Sequence, residues 1–185
     1  MVTRWAVVAV LTLRMLQSGV AAASARGDTD ELEAGLLRLA QIFLEKSGSV
    51  EVFGGGVRAD GTLVSLAIDP YWQASAEEQV EAMIRYLDGG GYTAGCVVVD
   101  TRVVLPGQTT KSDALGFIVA TRGGRGRGVL RPYKIDQGKV KWSPPIVQDG
   151  ANQIFSGRGS AGAPGVDKIM ALPMRVVAGP RPRQR

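Results

Sequence analysis

The fold turns on the reading of residues Ala94–Thr121, AGCVVVDTRVVLPGQTTKSDALGFIVAT. A run of valines ends at Pro106-Gly107, and apolar residues resume at Ala114. Two β-branched and aromatic runs on either side of a Pro, Gly and Thr turn predict two antiparallel strands, about 94–105 and 113–121. The first is the most hydrophobic strand candidate of the chain and is expected near the centre of a sheet. Lys111 and Asp113 are two apart, so on a regular strand they share a face. Arg102 lies across the turn within reach of them.

Upstream, ELEAGLLRLAQIFLEKSG (31–48) places Leu32, Leu36, Leu39 and Phe43 at helical spacing behind Asp28 or Thr29. The acids Asp30, Glu31 and Glu33 lie where they favour the helix dipole, and Lys46 and Gly48 mark the end of about four turns. Asp60-Gly61 is a hairpin turn between strands near 49–58 and 62–68. Gly54-Gly55-Gly56 in the first of these has no GKT or GKS after it and leads to a hairpin rather than a helix. A bulge or the close approach of another element explains it better than a phosphate cradle. Ser75 and Glu78 have capping-box spacing before a second helix, whose stripe is Val80, Met83, Ile84 and Leu87.

Downstream of Thr121, an Arg-Gly-rich turn leads to a strand at 129–135, and a turn at 136–139 to a short strand at 140–142. The order helix, hairpin, helix, then three or four strands predicts an α+β fold of two layers. A mainly antiparallel meander sheet of five or six strands carries both helices on one face.

The chain has 185 residues, 45% of them hydrophobic, enough for one cored domain. Three segments are expected. Residues 1–25 open with Arg4, run through the apolar Trp5–Leu13 and end in small residues, the order of a secretory signal peptide. An ordinary N-terminal helix and an extension from a misplaced start are the alternatives. The apolar run of nine residues falls short of the roughly 20 needed for a transmembrane anchor. Export to a periplasm or beyond goes with cleavage of that segment; otherwise the chain is cytoplasmic. Residues 26–155 form the single domain, and 156–185, with five Gly, four Pro and six Lys or Arg, read as a flexible basic tail.

Net charge is +5, yet Arg26–Phe155 holds 14 basic against 16 acidic residues, so the basic charge belongs to the ends. A fold that grips phosphates carries its charge on its own face, so specific nucleic-acid binding is not expected. There is no histidine and one cysteine, Cys96. That removes Ser-His-Asp and Cys-His catalysis, the usual zinc ligand sets and an internal disulfide. Cys96, beside three valines, reads as buried filler.

The candidate binding residues are Arg102, Lys111, Asp113 and Arg131, expected to line a polar groove on the helix-free side of the sheet. Their ordinary alternative is cross-strand charge pairing on a solvated face. Asp100 interrupts an apolar strand and needs a partner, for which Arg102 stands two residues away. No catalytic residue, metal ligand or cofactor site is assigned.

Several phrases together resemble a loose set of small bacterial proteins of unassigned function. They are FLEKSG (43–48), Phe53-Gly54, ADG (59–61), VVVDTRVVLPG (97–107), KSDAL (111–115), RPY (131–133) and QDGANQIF (148–155). The likeness spans about 37–155 and implies a single α+β domain, with no activity or ligand attached. The chain departs from that set at Gly55-Gly56, in its signal-like start and in its basic tail. A non-catalytic module binding a protein or peptide is the leading expectation. Its alternative is a histidine-free enzyme acting on a small organic substrate through Asp69, Asp100, Lys111 or Asp113. A structural component, recognisable by a large apolar patch outside the core, is the third.

Overall fold

A computed structural model describes residues 25–157 and 164–174. The signal-like segment 1–24 and the last residues of the chain lie outside the described residues. In chain order the elements are α1 (Ala25–Ser47), β1 (Phe53–Arg58), β2 (Leu63–Ile68), α2 (Ala76–Gly89), β3 (Tyr92–Val104), β4 (Lys111–Thr121), β5 (Gly126–Asp136), β6 (Lys139–Trp142), β7 (Ile146–Gly150) and β8 (Ile169–Pro173). A 3-10 turn at Val166–Lys168 leads into β8.

All eight strands join one antiparallel sheet in the order β6-β5-β4-β3-β1-β2-β8, with β7 also paired to β5. β3, β4 and β5 follow one another as a meander, but β3 pairs with β1 rather than with β2. The central place expected for the Ala94–Leu105 run is therefore filled by β3. β6 and β7 share the outer side of β5, β6 along Tyr133–Asp136 and β7 along Gly126–Leu130.

The two helices lie on opposite faces of this sheet, not together on one. Leu32, Leu36, Ala40 and Leu44 of α1 pack with Phe53, Val57, Cys96, Val98, Leu115 and Phe117. Ala82, Met83 and Leu87 of α2 pack with Val52, Val64, Leu66, Val97 and Ile154. Neighbouring residues of β3 thus enter different cores. A strand buried on both faces is apolar at every position, and GCVVV is such a run.

The glycine triplet makes this double covering fit. A Cβ on Gly55 would stand 3.0 Å from Leu32 Cδ1 of α1 and 2.7 Å from the Val64 carbonyl. One on Gly56 would stand 3.0 Å from Leu87 Cδ2 of α2. Close approach of other elements is what keeps side chains out here.

Local signals hold the expected turns and caps. Ser75 Oγ accepts from Glu78 N at 3.3 Å, and Glu78 Oε2 accepts from Ser75 N at 2.8 Å, closing the capping box. Gly61 adopts a positive φ of 79°, and Asp60 Oδ1 accepts from Thr62 N at 2.9 Å. α1 begins earlier than its expected cap, so that Thr29 is a buried helical residue instead. The packing of its apolar face carries it through positions of modest propensity.

Two strands fall outside the expected five or six. β7 follows Pro144-Pro145, and β8 lies within the segment expected to be a flexible tail. β8 completes the far edge, pairing Ile68 with Ile169 through Val64 with Pro173. Among the described residues, no helix is long and apolar enough to cross a membrane.

Candidate interaction surface

On β3, β4 and β5 the odd-and-even alternation sorts the polar residues. Asp100 and Arg102 share the α1 side with Cys96 and Val98. Lys111 and Asp113 share it with Leu115 and Phe117, and Arg127, Arg131 and Tyr133 with Val129. All four candidate binding residues therefore lie on the side that α1 occupies, not on a helix-free side.

They do not converge. Arg102 and Asp113 are direct cross-strand partners, with Nε 3.0 Å from Oδ1, and both are well exposed, at 74% and 50%. Lys111 is exposed opposite exposed Val104 at the mouth of the same hairpin. Arg131 turns instead to α1, where its Nη2 donates to Glu33 Oε1 at 2.9 Å. Arg127 Nη2 donates to Glu33 Oε2 at 3.0 Å and also pairs with Asp30 at 2.6 Å. The Glu33 side chain is only 9% exposed, so these arginines neutralise a buried carboxylate and lock α1 onto β5. Burial of that face leaves the Nε atoms of Arg127 and Arg131 without a partner.

Asp100 finds its partner elsewhere than in Arg102. Its carboxylate accepts from Tyr133 Oη at 3.0 and 3.1 Å and from Val50 N at 3.3 Å, tying the end of α1's loop to β3 and β5. Burial, reinforced by the Asp100 carboxylate, pushes the Tyr133 phenol up. Asp69 accepts from Tyr71 N at 2.9 Å and so closes a turn after β2. Cys96 is fully buried, and desolvation raises its thiol far above the range of a reactive thiolate. Each acid that an enzyme reading would use is thus engaged in a separate structural contact.

Two further anchors escaped the sequence reading. Arg122 donates through Nη2 to the Asp88 carbonyl at 2.6 Å and through Nε to the Tyr92 carbonyl at 2.9 Å. Its guanidinium lies 4.4 Å from the Phe155 ring centre. A cation there satisfies the last carbonyls of α2 and favours its dipole. Asn152 donates to the Thr121 carbonyl at 2.8 Å and accepts from Phe155 N at 2.8 Å, pinning the segment after β7 over the β4–β5 turn. A single Arg in a Gly-rich turn and a lone Asn carry no signal of such distant partners.

The open surface lies on the other side. α2 packs over β1, β3 and β8, and Ile154 and Phe155 extend that cover only to the near end of β4. Ile118 packs at the margin of the α2 core, and beyond it Gly116, Gly128, Leu130 and Ile146 face the α2 side of β4, β5 and β7 in register. Ile118 and Leu130 are half-exposed and Ile146 is 42% exposed. Nothing approaches a Cβ built on Gly150, and the nearest atom to one on Gly128 is 4.0 Å away, so the two leave a shallow hollow of about 180 Å³ between Ile118 and Gln148. β7 borders it, exposed at every position, with Val147 57% exposed.

A second cleft of about 400 Å³ opens between Thr29, Thr121, Arg125 and Asp149. Arg127 at its floor is already paired with Asp30 and Glu33. No group of three or more metal-ligating side chains occurs among the described residues. Comparison of the chain with protein-family models, curated proteins and solved structures finds no match, so the likeness to small bacterial proteins gains no support from them.

Proposed function

We propose that this chain is a non-catalytic module that binds a protein or peptide partner, using the uncovered half of the α2-side sheet face and the adjoining β7 edge. The observation that carries this reading is that half-face: Ile118, Leu130 and Ile146 are presented around Gly116 and Gly128, beside a strand exposed along its whole length. An open edge offers backbone donors and acceptors to a partner strand, and alternate side chains of that strand then select for a hollow or a ridge. Small residues on the face let the partner approach closely. The acids and lysine of the histidine-free enzyme alternative supply no shared pocket. Asp113 is bound to Arg102, Asp100 to Tyr133 and Val50, and Asp69 to its own turn.

The test is site-specific photocrosslinking in the source cell. A benzophenone side chain at Gln148, on the proposed face, should give one discrete adduct, and the same group at Lys111 should give none. Val147→Lys together with Ile146→Asp should abolish the adduct made at Gln148. Adducts at Lys111 and none at Gln148 would move the interface to the α1 side and refute the assignment.

A further inference from the structure

The outer edge of β2 is occupied, and by a segment distant in sequence. Ser156–Gly165, SGRGSAGAPG, separates β8 from Phe155 and contains four glycines and no large apolar side chain. β8 then runs antiparallel along β2 and places alternate residues on both sides of the sheet. Ile169 is buried and Ala171 half-buried against the α2 core. Met174 reaches the other side, where its N donates to the Leu63 carbonyl at 3.1 Å and its Cε fills a notch left by Gly35 of α1. A Cβ on Gly35 would stand 2.7 Å from that methyl carbon.

The approach to this edge is shaped as well. Asp69 N donates to the Lys168 carbonyl at 2.8 Å. Gly165, at φ 79°, lies flat against the Trp72 ring, where a Cβ would meet Cζ2 at 2.7 Å. The edge thus has a ring at one end, a buried aliphatic position, a small-residue position and a notch for an unbranched side chain. Yet its occupant is lightly held: among the β8 residues whose side chains are described only Ile169 is buried, while Met170 is 43% exposed.

We propose that the β2 edge is a strand-binding site and that residues 166–174 are its tethered, displaceable self-ligand. Its external ligand is an extended peptide with Ile or Val at a first position, a small residue two further on and Met or a similar unbranched chain five after the first. A tethered strand competes at high effective concentration. The external peptide therefore binds with an affinity reduced by the fraction of chains whose edge is vacant. This site is separate from the β7 surface and does not rest on it.

The experiment uses the full chain and a fluorescein-labelled peptide of residues 166–174, VDKIMALPM, read by fluorescence anisotropy. Ile169→Asp empties the edge, and Ser65→Cys with Leu172→Cys, at directly paired positions, closes it by a disulfide. Cys96 is buried and stays out of that oxidation. Ile169→Asp should bind the peptide at least about tenfold more tightly than the unaltered chain, as removal of a closed state populated at about 90% requires. The oxidised double-cysteine chain should not bind, and reduction should restore binding. Should Ile169→Asp fail to fold, Met174→Gly, which vacates the Gly35 notch, should tighten binding in the same direction. Peptide binding unaffected by the disulfide would place it elsewhere and overturn the proposal, as would Ile169→Asp or Met174→Gly binding no better than the unaltered chain. Hydrogen exchange gives an independent reading. The β8 amides should exchange at least about a hundredfold faster than those of Gly54–Val57, as local opening demands, and equal protection would also overturn it.

Discussion

Replacing Glu33 by Gln tests the contact that joins α1 to β5. The carboxylate accepts from Arg131 at 2.9 Å and from Arg127 at 3.0 Å, and its side chain is 9% exposed. Arg127 retains Asp30 after the substitution, but Arg131 has no other ion pair among the described residues. Gln keeps one acceptor oxygen, yet it turns an NH2 donor toward a guanidinium. Stranding one partner of a buried pair costs about 3–5 kcal/mol. Arg127 and Arg131 are 22% and 23% exposed, so water recovers part of that and the expected loss is about 2–3 kcal/mol. At about 2–4 °C per kcal/mol for a chain of this size, the midpoint should fall by roughly 5–10 °C. A thermal melt reads that fall, and urea denaturation followed by tryptophan fluorescence reads the free-energy loss, with the slope unchanged and the urea midpoint lower. Arg131→Met should cost less than Glu33→Gln, because Glu33 then still has Arg127. The double variant should be more stable than the sum of the two single losses predicts, by at least about 1 kcal/mol of coupling. A Glu33→Gln chain within about 0.5 kcal/mol of the parent, the range of neutral surface changes, would refute the role assigned to this pair.

Three other outcomes follow from the same contacts. Gly55→Ala should destabilise by about 1–2 kcal/mol, since overpacking against the fixed Val64 carbonyl outweighs the backbone entropy gained; a stabilised variant in urea melts would show that α1 has room to move. Ser75→Ala should cost about 1 kcal/mol at pH 7 through loss of the α2 cap. The hydrogen bonds from Ser75 hold the Glu78 carboxyl below its usual value, so its share of the cap is present above the unfolded carboxylate pKa and lost as pH falls through the folded one. The Ser75→Ala penalty should therefore shrink between pH 6 and pH 3, and a constant penalty in melts across that range would contradict the capping box. At the alkaline end, burial pushes Tyr92 up to about 12 and raises Tyr133 as well. Both phenols are raised, so stability is unaffected below the unfolded value near 10 and is lost as pH rises from there toward the folded values. Tyr133→Phe should make the decline in melting temperature between pH 10 and 12 shallower, and an unchanged slope would show that Tyr133 does not hold its proton in the fold.

Much of the fold was legible because its determinants are local. The Ser75–Glu78 spacing, the Asp60-Gly61 turn and the helical stripes each involve residues a few positions apart; α2 and the β1–β2 hairpin stand where those signals put them, and α1 does so except for its earlier start. What decides the layering is not local. Apolar alternation gives one buried face, whereas GCVVV gives two, and that continuous run is the trace of helices on both sides. The glycine triplet carries the same message from β1, since Gly55 and Gly56 make room on opposite faces. β7 and β8 left weaker traces. IVQDG follows two prolines and buries nothing, and IMALP sits in a Gly, Pro and Arg context that by composition opposes a core. Both exist because an edge already formed by β5 or β2 offers a row of unpaired backbone groups, a template that the added strand's own sequence does not encode.

The polar residues show the same division. Arg102 and Asp113 were two strands of one hairpin, and their pairing follows from register across a short turn. Charge and order in the chain place Arg131 with them, but its carboxylate is Glu33, 98 residues away on a helix. Asp100 likewise ignores Arg102, two residues along its own strand, for Tyr133, which β4 separates from it by one strand. A buried carboxylate takes the donor that packing delivers, not the nearest cation in sequence. With Glu33, Asp100 and Asp113 drawn into structural contacts, the proposed partner surface is the one with few charges: Ile118, Leu130, Ile146 and Gln148 around the glycines of β4 and β5. This pattern supports the proposed polypeptide binding: Glu33 and Asp100 are engaged in the fold's own contacts, and the edges of β5 and β2 already accept strands.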